Sequence, residues 1–191
     1  MKGVICVGAN LGQELEGWIS LGIKDFILFE PVCATFQKLK KIIANKNVNI
    51  QLFNIALGNR KGRIMMFTET CHQGKSSSIL EPLLHLDQYP DIEFDSKELV
   101  ELDKLDNIEY NRNLYDKMQI DTQGYEMEVL RGAEKSLITI DELTIEVYRK
   151  ELYRGCPMIE EVTDWLSYRG FDVVDVYWRG LTWGDCKLRR R

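Results

Sequence analysis

Gly8-Ala9-Asn10-Leu11-Gly12 follows directly on the apolar run Val4-Ile5-Cys6-Val7, and Glu30 stands 18 residues beyond Gly12 in Phe29-Glu30-Pro31. That pattern reads as the nucleoside-binding edge of an α/β sheet: a buried strand, a tight glycine turn into a helix, and an acid ending the next strand near a ribose. Glu30 can accept hydrogen bonds from both ribose hydroxyls, charge-assisted bonds of about 1.5–3 kcal/mol, and would repel a 2′-phosphate. Asn10 sits where a dinucleotide loop keeps its second glycine for a pyrophosphate. An adenosine ligand without phosphates fits better, and S-adenosylmethionine is the leading candidate. Gly8, Ala9 and Gly12 would let backbone approach it, while the N–H groups of the following helix N-terminus would take the methionine carboxylate. Asn10 would either hydrogen-bond the ligand or cap that helix.

The elements that must position these residues alternate along the chain. Val4–Val7, Phe26–Phe29 and Val48–Phe53 read as strands, with helices around Leu15–Leu21 and at Phe36, Leu39, Ile42 and Ile43 between them. Short strands at Gly62–Phe67, Ser76–Leu80 and Leu99–Leu102 mark an inserted hairpin region, residues 62–102, able to wall a substrate site. Alternation resumes with a strand at Lys117–Asp121, a helix from Tyr125 to Leu137, a strand at Leu143–Val147, a helix opening near Pro157, and strands at Phe171–Val176 and Leu181–Lys187. The expectation is one α/β domain whose mainly parallel sheet is covered on both faces.

The 191 residues carry a net charge of −5, which disfavours a general polyanion-binding surface despite the Lys187 and Arg189–Arg191 tail. Five scattered cysteines without a C-x-x-C pair read as free thiols. No apolar run approaches bilayer length and no signal peptide is evident, so the expected location is the cytoplasm.

Val7–Gly12, Phe29-Glu30-Pro31, Asn54-Ile55-Ala56-Leu57, Ile120-Asp121-Thr122-Gln123-Gly124-Tyr125-Glu126, Val129–Ala133 and Ile145-Glu146-Val147 occur in an order that resembles FkbM-type S-adenosylmethionine-dependent methyltransferases. The resemblance spans Val4 to Val147. It implies a class I methyltransferase, Rossmann-like fold with seven strands, one antiparallel, and methyl transfer to a hydroxyl of a sugar or polyketide, leaving S-adenosylhomocysteine. Two residues depart from the family: Cys6 where Asp is common, and Gln123 where Glu is common. The chain starts at its first strand, where relatives carry an N-terminal extension, which reads as a minimal module or a piece of a larger polypeptide.

An alcohol acceptor must lie in line with the sulfonium methyl and lose its proton. Positioning contributes about 7–11 kcal/mol and a general base about 10²–10⁴-fold. Asp121, at the end of a central strand, is the leading acid, Glu146 on the next strand is the second, and His72 is a candidate base. Glu126 could join them or serve only the helix dipole. A divalent cation among Asp121, Glu126 and Glu146 is conceivable, but their spacing gives it no support. The turn at Asn54-Ile55-Ala56 would rim the adenine, Pro31 would touch its face, and Ser78 in the serine run would contact cofactor or acceptor. Tyr125, Tyr148, Tyr153 and Trp178 could stack on a sugar but read more naturally as core. The expected acceptor is a sugar or glycoconjugate, with a neighbouring glycosyltransferase domain as a partner. Nucleic acid ranks well below it, because no N-P-P-Y turn follows Asp121. The alternative is a non-catalytic module that binds S-adenosylmethionine.

Overall fold

A computed structural model describes residues 2–191. The main sheet has seven strands in the order β3-β2-β1-β7-β8-β10-β9: β1 (Gly3–Val7), β2 (Asp25–Phe29), β3 (Asn49–Phe53), β7 (Tyr115–Ile120), β8 (Glu142–Tyr148), β9 (Phe171–Trp178) and β10 (Trp183–Arg190). All neighbours are parallel except β10, which runs antiparallel to both β8 and β9. A second sheet of β4 (Ala56–Leu57), β5 (Gly62–Thr68) and β6 (Ser96–Asp103), ordered β4-β6-β5, joins the inserted region to β4 just before it.

Strand periodicity sends alternate side chains to opposite faces. Val4, Cys6, Phe26 and Leu28 pack under α1 (Leu15–Ser20) and α2 (Cys33–Ile43). Cys6 lies inside this apolar cluster, and burial pushes its thiol up. Ile5, Val7, Ile27, Phe29, Ile120 and Ile145 join the larger core with Val129, Leu130, Val162 and Leu166, from α4 (Glu126–Arg131) and α5 (Ile159–Ser167).

Cover on the first face is incomplete. The register Cys6↔Gln119↔Thr144↔Lys187 runs from the helix-covered half of that face onto an uncovered, polar half, where Glu146 lies opposite Asp185. Helices do occupy both faces, but α1 and α2 shield only the β1–β3 half. The β7-β8-β10-β9 half is left open for a cleft.

Three local expectations differ from the structure. Ser76–Leu80 is a loop tied to β5 only at Ser78↔Phe67. The helix expected to reach Leu137 stops at Arg131; Gly132 follows, where a Cβ would lie 1.9 Å from the Gly58 carbonyl oxygen, and its own carbonyl accepts from Asp106 N–H. A separate 3₁₀ turn, Ser136–Thr139, follows, its start held by the Asp106 carboxylate, which accepts from the Lys135 and Ser136 N–H groups. The helix near Pro157 begins at Ile159. All five cysteines are free.

Candidate active site

A cleft of about 690 Å³ opens above the carboxyl ends of β1, β2 and β7 and runs along the uncovered face. The strand ends knit its floor. The Gly8 and Ala9 N–H groups both donate to the Phe29 carbonyl, Glu30 N–H to Phe53, and Asp121 N–H to Val7. Gly8 has φ of 81°, and a Cβ there would sit 1.8 Å from the Asp121 carbonyl oxygen. The glycine therefore serves the approach of loop to strand end, and it also lines the cleft. Gly12, also at positive φ, admits the Leu39 side chain of α2.

These contacts revise the loop's expected role. The N–H groups of Gly8, Ala9, Asn10 and Gly12 are engaged by Phe29, Glu30 and Ala9 oxygens. Those four N–H groups are spent on the protein itself; α1 begins at Leu15, three residues beyond Gly12, and the intervening Gln13 and Glu14 line the cleft. Neither Ala9 nor Gly12 lines the cleft. Asn10 does not cap α1. Its amide donates to the Gln73 carbonyl at 3.0 Å and accepts from Gln13, tying the loop to the segment 69–77.

Glu30 lines the cleft while nearly buried. One carboxylate oxygen accepts from Asn10 N–H and the other from Val32 N–H, both at 2.9 Å, so each retains lone-pair capacity. Burial raises its pKa from 4.5 to about 7 against the pull of those two bonds. Beside it Pro31, Ile55, Ala56 and Met66 give an apolar wall. Asn54 lies outside the cleft: its amide nitrogen donates to the Glu30 and Pro31 carbonyls at 2.9 and 2.8 Å, fixing the turn that presents Glu30.

The other acids converge on Gln123. This residue has φ of 55°, and its amide nitrogen donates to Asp121 at 2.7 Å and to Glu146 at 2.8 Å. Its amide oxygen accepts from the Tyr153 hydroxyl at 2.7 Å, and the Tyr148 hydroxyl donates to Glu146. A carboxylate at position 123 would face two others. The neutral amide instead donates a hydrogen bond to each of them, so the departure from Glu makes the pair compatible. Burial is the largest cause raising Asp121 to about 6, with Glu14 and Asp185 adding to it and Gln123 opposing. Glu146 is also raised, first by burial and then by Asp121 and Glu126.

Glu126 stands apart from the cleft. One of its oxygens accepts from Thr122 N–H, Thr122 hydroxyl and Gly124 N–H, organising the turn after β7. Among the described residues, no three His, Cys, Asp or Glu side chains group as cation ligands. Ser78 is buried outside the cleft: its hydroxyl donates to the Gln123 carbonyl at 2.6 Å and accepts from Leu80 N–H. It shapes the Gln123 turn from the inserted segment. His72 lines the cleft from an exposed loop position, its N–H held by the buried Glu69 carboxylate. Tyr148 lines the cleft, whereas Tyr125 and Trp178 do not.

Sequence reasoning missed His85, on α3 (Leu84–Gln88), which is 3% exposed and lines the cleft. Its one signal was the leucine-rich context of residues 83–86, consistent with burial. Tyr89 and Trp183, joined by an indole-to-hydroxyl bond of 2.7 Å, were also missed.

The sheet order is that of the class I methyltransferase fold. The chain belongs to the FkbM methyltransferase domain family, whose pattern matches residues 7–173. It is 27% identical over 194 residues to the 2-O-methyltransferase NoeI of Sinorhizobium fredii (strain NBRC 101917 / NGR234), across 97% of this chain and 78% of that protein. Among solved structures it resembles methyltransferase FkbM from Methylobacillus flagellatus KT, with a TM-score of 0.68 and 15% identity over 98% of this chain and 43% of that one. This chain thus spans less than half the length of that relative. It also resembles magnesium protoporphyrin IX methyltransferase (ChlM) from Synechocystis PCC 6803 with bound SAM, with a TM-score of 0.55 and 9% identity over 100% of this chain and 70% of that one. No helix among the described residues is long and apolar enough to cross a membrane.

Proposed function

We propose that this protein is an S-adenosylmethionine-dependent O-methyltransferase acting on a sugar hydroxyl of a glycan or glycoconjugate. The observation that carries this reading is one cleft with three successive environments: the apolar wall at Pro31, Ile55 and Ala56, the Glu30 carboxylate, and the Asp121–Gln123–Glu146 cluster. They suit an adenine, a ribose diol, and the ammonium and sulfonium cations. When bound, S-adenosylmethionine supplies an electrophilic methyl group on a sulfonium.

The chain's residues do the rest. Glu30 holds the ribose hydroxyls, and Pro31, Ile55 and Ala56 hold the base. Asp121 and Glu146, spaced by the Gln123 amide, face the positive end and orient the acceptor hydroxyl. With its pKa raised to about 6 by burial, Asp121 is largely ionised near neutrality yet a better proton acceptor than an ordinary aspartate. The name of the relative NoeI supports O-methylation. Residues 1–191 act as a single methyltransferase domain in which the insertion 62–102 walls the acceptor side, and the protein works in the cytoplasm beside a glycosyltransferase.

Incubation with labelled S-adenosylmethionine and separate sugar, protein, RNA and DNA pools tests this reading. Label is expected in the sugar pool, and turnover is expected to survive a chelator. Label entering only protein or nucleic acid would overturn the acceptor class. Asp121→Asn is expected to remove turnover while leaving the thermal midpoint within a few degrees, measured by scanning calorimetry.

A further inference from the structure

The cleft continues past Glu146 into a chamber that the cofactor environments leave unused. Side chains connect the two without a break. Glu146 accepts from Tyr148, Tyr148 lies opposite Trp183 across the β8–β10 ladder, Trp183 donates to the Tyr89 hydroxyl, and Tyr89 packs on the His85 ring at 5.0 Å. His85 meets Tyr153 at 5.3 Å, and Tyr153 returns to Gln123. Ile92 and Leu152 complete the wall. The short helix carrying His85 is fixed from below, since the Leu83 and His85 N–H groups both donate to the Leu152 carbonyl.

His85 is the polar exception in this aromatic enclosure. Its Nδ1 is buried without a partner among the described residues. A buried N–H lacking an acceptor is the costlier orphan, so the proton belongs on Nε2 and leaves Nδ1 a bare lone pair. Burial also lowers the His85 pKa from 6.5 to about 4, which keeps the ring neutral. The residue offers one donor and no accessible base.

We propose that His85, Tyr89, Ile92, Tyr148, Leu152 and Trp183 form the acceptor subsite, which takes the apolar C–H face of a neutral sugar ring against the aromatic wall while His85 Nε2–H donates to a ring hydroxyl oxygen. The proposal rests on the methyltransferase reading above and adds to it which end of the cleft holds the acceptor. His85 is a positioning donor; proton removal stays with the acid pair. Donation to a hydroxyl oxygen also leaves that hydroxyl's own proton free to point at a second group, as a hydrogen bond to Asp121 or Glu146 would require.

Saturation-transfer NMR with a panel of methyl glycosides of neutral hexoses, deoxyhexoses and pentoses, recorded with S-adenosylhomocysteine bound, tests the subsite independently of turnover. Ring protons of at least one glycoside are expected to be saturated by the wild-type protein. His85→Phe, which keeps the ring's bulk and removes the donor, is expected to weaken that glycoside about tenfold, the scale of one neutral hydrogen bond. His85→Gln, which restores a donor, is expected to recover most of the loss, and S-adenosylhomocysteine affinity is expected to stay within about twofold in both. Equal saturation by wild type and His85→Phe overturns the proposal. So does failure of every glycoside to bind wild-type protein loaded with S-adenosylhomocysteine, whereas failure to bind S-adenosylhomocysteine at all strikes at the methyltransferase cofactor reading instead. If His85→Phe does not fold, Ile92→Trp at the half-exposed rim fills the same chamber and is expected to abolish saturation with the cofactor product still bound.

Discussion

Glu30 and Gln123 show two ways in which one side chain organises a ligand site. Glu30 spends half its acceptor capacity on Asn10 and Val32 and keeps the rest for the cleft. Glu30→Ala is expected to weaken S-adenosylmethionine binding by about 1.5–3 kcal/mol in calorimetry and also to lower stability, because two backbone donors lose their partner. Gln123→Glu replaces two donated hydrogen bonds with a third negative charge. Each lost bond to a carboxylate is worth about 1.5–3 kcal/mol, so this variant is expected to melt earlier than wild type, with a gap that widens as pH rises. Glu30 was legible because strand, glycine turn and acid follow a local spacing rule. The acid pair was legible as residues but not as a unit, since the joining residue is an amide where the family commonly has Glu, a change that in sequence weakens the case for carboxylates acting together at this turn. His85 was hidden because burial of a histidine on a five-residue helix depends on chain 68 residues further on, at Tyr153.

At the scale of elements, the close approaches of loops to strand ends decide where the cleft lies. Gly8→Ala would drive a methyl into the Asp121 carbonyl, and the clash comes in addition to about 1–2 kcal/mol for a non-glycine residue at its positive φ. Gly22 has φ of 85° with nothing near its missing Cβ. Chemical denaturation is therefore expected to show only that smaller loss for Gly22→Ala, and severe destabilisation or no folded protein for Gly8→Ala. Helical and strand periodicity made β1, β2, β3, α2 and α5 readable. It failed where the cause is tertiary: Gly132, packed on the Gly58 carbonyl, turns its own carbonyl to Asp106 N–H after α4, and the lone pairing with Phe67 leaves residues 76–80 as loop. The open half-face could not be read either, because strand register brings Gln119, Thr144 and Lys187 into one row from distant segments.

Across the whole molecule, the buried acids set an unusual pH response. Glu30 titrates near 7 where the unfolded chain titrates at 4.5, and Asp121 near 6 where it would titrate at 3.8, both chiefly through burial; Glu126 and Glu146 move the same way. The folded protein then retains protons that the unfolded chain has released, so stability falls as pH rises through the window between those values and levels above it. His85, lowered to about 4, acts oppositely below its unfolded value of 6.5, but it is one group against four. Thermal midpoints are expected to decline from pH 5 to pH 7.5, and to decline less in Asp121→Asn. Binding of a cationic ligand should reverse the trend, since a positive charge favours the ionised acids. S-adenosylmethionine affinity is expected to rise over the same range with net proton release, measurable by calorimetry in buffers of different ionisation enthalpy.

The position of β1 between β2 and β7 has a bearing on how the protein is made. One edge of β1 finds its partner at residues 26–29, whereas the other waits for residues 115–120. At synthesis rates of roughly 5–20 residues per second, the nascent half-sheet spends about 5–20 s with that edge unpaired. During this time Ile5, Val7, Ile27 and Phe29 lack the α4 and β7 residues that later bury them. An unpaired strand edge flanked by bare apolar side chains is a template for association with a neighbouring chain. Shielding of that edge before its partner arrives is therefore expected to raise the yield of native protein.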